Sequence, residues 1–535
     1  MIIKKIIIIL LIIPIFLFSQ KKSKNQNIEL PEFVITGVQK ISFPIMKKHR
    51  PKLIHVISDK YFKPYISPDK LSLASFSKPQ SLKILVHKPQ HFFNGEVEVG
   101  AGIYTQPIGK FNYHINKGYT HIYANIEGVN IQDYVPNANF NSTKFKFGSD
   151  FTISRNSKFL PGSKFSVQGD YKKSQYYLFA SSTPKLERKN EYGTGTVKFQ
   201  NYFSKKFNYV LLGKIKNMKF HENDLNDLEE MTISGKARFR YNWEKFSILG
   251  TGVYKTQWYK NSIVSSKNNF MYGGKFLINI NPSNIFSVNF GAVYAKQDTN
   301  LLIQPIIELT AGIDKGITLI VKYEPSAEFK TISDFQKENR YLKKFNLNNL
   351  FTMRNNDFTL ALQYQYYKYF EINGGVNYRT VENMPFYEGG INQKDFEIKT
   401  SDYIKTAELF LNLLFYNGPY GYFYGSVKLQ DSKFRSEKHV PYSPLISSNL
   451  TYGFNIFQSL KLKLGLEYFS KAYINSANST EIPANINGNA EVEYELTKNL
   501  SVNVKFENLL NRNNYLYFGY KEKPFDVIGG ISYMW

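Results

Sequence analysis

Between Leu500 and Trp535 the chain twice alternates apolar and polar side chains, and a period of two admits very few folds. Leu500, Val502, Val504 and Phe506 share one face, and Ser501, Asn503, Lys505 and Glu507 share the other, because successive side chains of a strand point to opposite sides. After a Tyr- and Asn-rich loop the pattern returns, with Val527, Gly529, Ile531, Tyr533 and Trp535 opposed to Ile528, Gly530, Ser532 and Met534. Strands with one oily and one wet face suit a soluble sandwich or a transmembrane barrel. A strand that runs to a large terminal aromatic favours the barrel, whose aromatic girdle sits at the membrane interface.

The same alternation recurs from Gly95 onward. Phe165, Val167 and Tyr171 oppose Ser166, Gln168 and Asp170, while Ile233, Ala237, Phe239 and Tyr241 oppose Ser234, Lys236, Arg238 and Arg240. Leu460, Leu462, Leu464 and Leu466 oppose Lys461, Lys463 and Glu467, and Ala490, Val492 and Tyr494 oppose Glu491, Glu493 and Glu495. Charges at every second position are intolerable against a dry core. They are therefore expected to line a wet lumen, with Arg238, Arg240, Lys461, Lys463, Glu467, Glu491, Glu493, Glu495 and Lys505 as lumen-lining candidates. Short turns such as 116–118, 244–245 and 497–499 alternate with long polar connections such as 135–142, 325–344, 381–402 and 511–524. That is the rhythm of a closed antiparallel transmembrane β-barrel, with short periplasmic turns and long extracellular loops, and counting strands gives about 22. Residues 345–353 and 386–398 are expected to be loop structure.

Composition narrows the class further. No cysteine is present, which excludes disulfide frameworks and thiolate metal sites. Aromatics reach 16% of the residues, with 40 Tyr and 44 Phe, a surplus that two interfacial girdles would absorb. The formal charge of +25 invites a nucleic-acid reading, but Lys and Arg are spread along the chain without one basic face or a binding motif. Lys4 and Lys5 followed by the apolar run 6–18 read as a signal peptide over residues 1–20. Residues 21–37 then form an expected periplasmic tail. Residues 38–93, with scattered prolines, form an irregular amino-terminal segment in or below the lumen, and the barrel occupies 94–535.

Phe506-Glu507-Asn508-Leu509-Leu510-Asn511, Tyr515, Tyr517 and the closing Gly529 to Trp535 resemble the last hairpin of TonB-dependent receptors. Leu30, Pro31, Glu32, Phe33, Val34, Ile35, Thr36 and Gly37 resemble the TonB box of that family. The resemblance implies a 22-strand outer-membrane barrel of a Gram-negative bacterium. It also implies a TonB-type periplasmic partner that pairs with residues 30–37 by strand addition, and import of a solute. Ile531, Tyr533 and Trp535 would then serve as the signal for the barrel-assembly machinery. The family carries a folded plug domain between box and barrel, and 38–93 is too short and irregular to match it. A non-transporting scaffold that docks envelope partners is the alternative.

Catalysis finds no support. The eight histidines form no HExxH or paired-ligand motif, and no nucleophile elbow, phosphate loop or dinucleotide fingerprint occurs. His114 and His121 flank a turn without a carboxylate in sequence register, and the acids Glu222, Asp224, Asp227, Glu229 and Glu230 are expected in a solvated loop. No cofactor or metal is expected, no nucleic-acid partner, and an outer-membrane lipid environment.

Overall fold

The computed structural model describes residues 93–535, apart from 223–226, 262–266, 284, 345–350, 368, 390–393, 417–420 and 458. The expected signal peptide, the 30–37 segment and the rest of 1–92 lie outside the described residues. Among the described residues, 22 strands form one closed antiparallel barrel. Each barrel strand pairs with the next in the chain, and Gly95–Gly102 pairs with both Thr105–Lys117 and Asp526–Met534, so the sheet has no free edge. One strand is interrupted: Ile317–Tyr323 and Ser326–Phe329 both lie along Phe351–Tyr366.

Alternation sets the two faces. Phe147, Ile303, Leu362 and Ile531 stand on the outer face more than half exposed, an apolar surface of the kind that hydrocarbon covers. The opposite face is polar and internally bonded. Glu98 accepts from Lys505 Nζ and Asn503 Nδ2 at 3.1 Å across the closing seam. Gly291 permits close backbone approach, since a Cβ there would meet the Phe276 carbonyl oxygen at 1.8 Å.

The rims depart from strict alternation in identifiable places. On the long-loop rim, residues 103–104 and 298–299 make tight hairpins. The first of these is held by Asp526 Oδ1, which accepts from the Ile103 and Tyr104 amides at 2.8 and 3.1 Å. On the other rim, 153–163 is a long connection pinned by Asn201 Nδ2, which donates to the Pro161 carbonyl and to Ser163 Oγ. Residues 351–353, expected in a loop, begin the strand Phe351–Tyr366, because Phe351, Thr352 and Met353 continue its pairing with Ser326–Phe329. The connection that holds 386–398 is not featureless either. It folds into the hairpin Met384–Gly389 with Phe396–Ser401, to which Leu342–Lys344 adds in parallel.

These long connections turn inward. Phe335, Leu342, Tyr387, Phe396, Tyr442 and Ile474 are almost wholly buried in one cluster with wall residues such as Val293 and Met353. The largest apolar core among the described residues therefore lies inside the long-loop end of the barrel. It is built from loop residues, and part of the aromatic surplus is spent here rather than in girdles. Tyr341 stacks on Tyr520 with centroids 3.8 Å apart, and Phe179 meets Tyr520 edge-on at 5.1 Å.

Candidate functional site: a latched loop within the lumen

One of the inward connections carries the only helix among the described residues, Ile332–Glu338. Its start is dictated locally. Asp334 reaches back to accept the Thr331 amide hydrogen at 3.0 Å and the Thr331 hydroxyl hydrogen at 2.8 Å, which satisfies a donor that the first helical turn leaves unpaired. Ile332 and Phe335 are fully buried, so the helix is anchored by apolar contacts on one side.

Polar side chains of the wall hold the other side. Lys216 Nζ donates to Asp334 Oδ1 at 2.7 Å, and Lys255 Nζ donates to Asp334 Oδ2 at 3.3 Å and to the Phe329 carbonyl at 2.7 Å. Burial alone would raise the Asp334 carboxyl. The Lys255 and Lys216 ammoniums and the Thr331 amide outweigh it and hold the group well below the usual carboxylate range. Glu230 accepts from the Ser333 amide at 2.9 Å and from its hydroxyl at 2.8 Å. Beyond the helix, Arg188 donates twice to Glu222, at 2.8 and 2.9 Å, and once to the Leu342 carbonyl at 2.5 Å. Tyr387 and Tyr517, from two other connections, donate to the carbonyls of Phe335 and Glu338 at 3.1 and 2.6 Å. Burial, followed by the Glu338 charge, pushes both phenols up.

Two of the acids expected in a solvated loop, Glu222 and Glu230, are thus buried parts of this latch. Asp227 instead meets His221 at 2.7 Å, and Glu229 meets Lys260 at 3.0 Å. The rings of His114 and His121 lie 6.3 Å apart, and His121 faces Asp150 at 3.6 Å. Among the described residues no group of three or more His, Asp or Glu side chains is placed to hold a metal ion.

The lumen candidates divide into three sets. Lys463, Glu467, Glu491 and Lys505 come together around a cavity of about 450 Å³ capped by Arg340 and Tyr341 of the inward loop. Lys505 pairs with Glu98 at 3.1 Å and approaches Glu491 at 3.8 Å. Lys461 pairs with Glu493 at 3.0 Å and with Glu495 at 2.5 Å, away from that cavity. Arg238 and Arg240 stand apart on another part of the wall, where Arg240 donates to Ser247 Oγ. Ile531, Tyr533 and Trp535 are about half exposed on the outer face, and Trp535 stacks on Tyr533 at 6.1 Å. Apart from Glu222 and Glu230, the latch residues Arg188, Lys216, Lys255, Thr331 and Asp334 were not singled out from sequence. The readable trace of the latch is Thr331-x-x-Asp334 ahead of the apolar Phe335, a helix-start pattern inside a supposed loop.

No family model and no curated protein matches this chain. Solved structures do match. The ferric-catecholate import receptor Fiu from E. coli K12, in its closed form, superimposes with a TM-score of 0.64 at 10% identity, over 84% of this chain and 82% of that one. The FrpB iron transporter from Neisseria meningitidis, in the apoprotein form of its F5-1 variant, gives 0.67 at 10%, over 83% and 81%. The copper transporter OprC gives 0.63 at 8%, over 84% and 82%. In fold, this chain is a closed 22-strand barrel of the kind built by outer-membrane TonB-dependent receptors.

Proposed function

We propose that this protein is an outer-membrane transporter that admits a solute through its barrel, closed at rest by the 325–344 loop and opened when that loop is released. One observation carries the reading. The loop is held inside the lumen at Asp334, Glu230 and Arg188 by ion pairs and hydrogen bonds to the wall, contacts that can be exchanged for water or ligand. Residues 30–37 would pair with a TonB-type periplasmic protein by strand addition and transmit the release. The barrel wall from Gly95 to Trp535, its ion-paired lumen and the likeness in fold to a ferric-catecholate import receptor and to iron and copper transporters all support this reading.

Proline at Val34 removes a strand-pairing donor and should abolish uptake in cells while leaving the barrel folded and inserted. Uptake that persists with Val34→Pro would sink the energised version. The packing of the inward loops favours a second reading, a permanently sealed scaffold. In planar bilayers that reading demands silence from both the native barrel and an Asp334→Asn variant, whereas a gated pore conducts once the latch is cut.

A further inference from the structure

Charge is not spread evenly around the lumen. Over much of the wall cations stand beside carboxylates, Lys322 with Glu308 at 2.6 Å, Arg379 with Glu408 at 3.2 Å, Lys275 with Glu324 at 2.8 Å and Lys505 with Glu98 at 3.1 Å, and the exceptions there, Lys146, Lys172, Lys428 and Lys463, fall one to a strand. Three adjacent strands group such cations together. Glu187–Asn201, Phe207–Glu222 and Leu228–Asn242 bring Lys198, Lys214, Lys236, Arg238 and Arg240 to the inner face. Among the described residues, none of these five has a carboxylate within ion-pair distance.

The register makes them one patch. Leu212 lies opposite Lys198 on one side and opposite Lys236 on the other, so Lys214, two residues along, is diagonal to both. Diagonal neighbours on one face stand about 7–8 Å apart, and Arg238 and Arg240 continue from Lys236 in steps of roughly 6–7 Å. Above the patch the inward helix adds another cation. Lys337 sits over the Tyr192 ring at 5.2 Å, and burial together with the Lys216, Lys214 and Lys172 charges lowers its pKa to about 8, with Asp334 opposing. A wall of like charges on a low-dielectric surface concentrates counter-ions. Residues 21–92 are themselves basic in composition, with 14 Lys and Arg against 4 Asp and Glu.

We infer that this basic wall is a binding track for a small multivalent oxyanion, a phosphate- or carboxylate-bearing solute that passes between the rim near Arg240 and the latched helix. The inference rests on the transport reading and names the substrate class. The full barrel purified in detergent should bind tripolyphosphate or tricarballylate by titration calorimetry at low salt, and the preferred probe separates phosphate from carboxylate chemistry. The Lys214→Gln, Lys236→Gln, Arg238→Gln triple variant should lose at least about tenfold in affinity. The control variant Lys461→Gln, Lys505→Gln should bind as the native protein does. Heat-modifiable migration verifies that each barrel is folded. In bilayers under a KCl gradient, the Asp334→Asn barrel should favour chloride, and adding Lys214→Glu, Lys236→Glu and Arg238→Glu should reverse that preference.

Absence of binding by both probes, or a triple variant that binds like the native barrel, overturns the assignment. A barrel that conducts without preferring anions overturns it while leaving transport intact. A barrel that binds tripolyphosphate yet moves no solute into vesicles does the reverse.

Discussion

Replacing Asp334 by asparagine keeps the size of the side chain and removes the charge that two lysines share. Lys216 is only 8% exposed and Lys255 22%, so both ammoniums would remain near each other in a partly dry setting. Removing one partner of a buried ion pair costs about 3–5 kcal/mol. The Asp334 side chain is 32% exposed, and solvent screening reduces that to about 2–3 kcal/mol. If the loss falls on the closed position of the loop, the open fraction rises about 30- to 150-fold, since 1.4 kcal/mol is a factor of ten. The chain has no cysteine, which makes a clean assay possible. Gln336 is 2% exposed and its side-chain amide makes no hydrogen bond among the described residues, so Gln336→Cys reports loop opening with little disturbance. Its labelling by a membrane-impermeant thiol reagent tracks the open population when reclosing is fast. The rate in Asp334→Asn should exceed that in the parent by about 30-fold or more, while the exposed control Lys471→Cys stays constant. A change of less than about threefold would show that the ion pairs do not set the closure.

Acidity should release the same latch in a defined window. The Asp334 carboxyl is depressed when the loop is closed, so its contribution is complete above the ordinary carboxylate value of about 4 and fades as pH falls through the lowered value. Lys337 acts in the opposite sense. Its pKa of about 8 against 10.5 means that the closed loop binds fewer protons between those values, so closure should tighten as pH rises through that range, and Lys337→Met should remove the effect in the labelling assay. Arg188→Met leaves Glu222 buried without its partner and should lower stability to guanidinium by about 3–5 kcal/mol, with Arg188→Met/Glu222→Gln recovering much of the loss. Phe147→Arg on the lipid face should cost about 2–4 kcal/mol if it lies near the bilayer midplane, whereas Lys463→Leu on the lumen face should cost much less; equal losses in folding assays would mean that the faces are assigned the wrong way round.

The wall was legible in the sequence because lipid and water impose opposite demands on successive residues. Leu460 to Leu466 against Lys461 to Glu467 leaves one register and one facing. The inward loops were not legible, for a physical reason. Phe335, Tyr387, Phe396 and Tyr442 lie far apart in the chain and have no shared period, so nothing local states that they pack together. Their burial depends on the barrel being wide enough to receive them. Glu222 and Glu230 read as solvated acids because a loop composition says nothing about what folds down onto it. The tight links at 103–104 and 298–299 were obscured in the same way, since their strands run through them with little change of composition.

The wall is also of uneven height. Strands at the closing seam, Gly95–Gly102 and Leu500–Glu507, have 8 residues each, whereas Lys267–Ser283 on another side has 17. At about 3.3 Å per residue and a tilt near 40°, the seam rises roughly 20 Å. That is short of the ~25 Å band such barrels present to hydrocarbon. Lipid beside the seam must therefore be compressed, at a cost of fractions of a kcal/mol per Å. The barrel should sit canted in its bilayer, with a dimple of thinned membrane where its first and last strands meet.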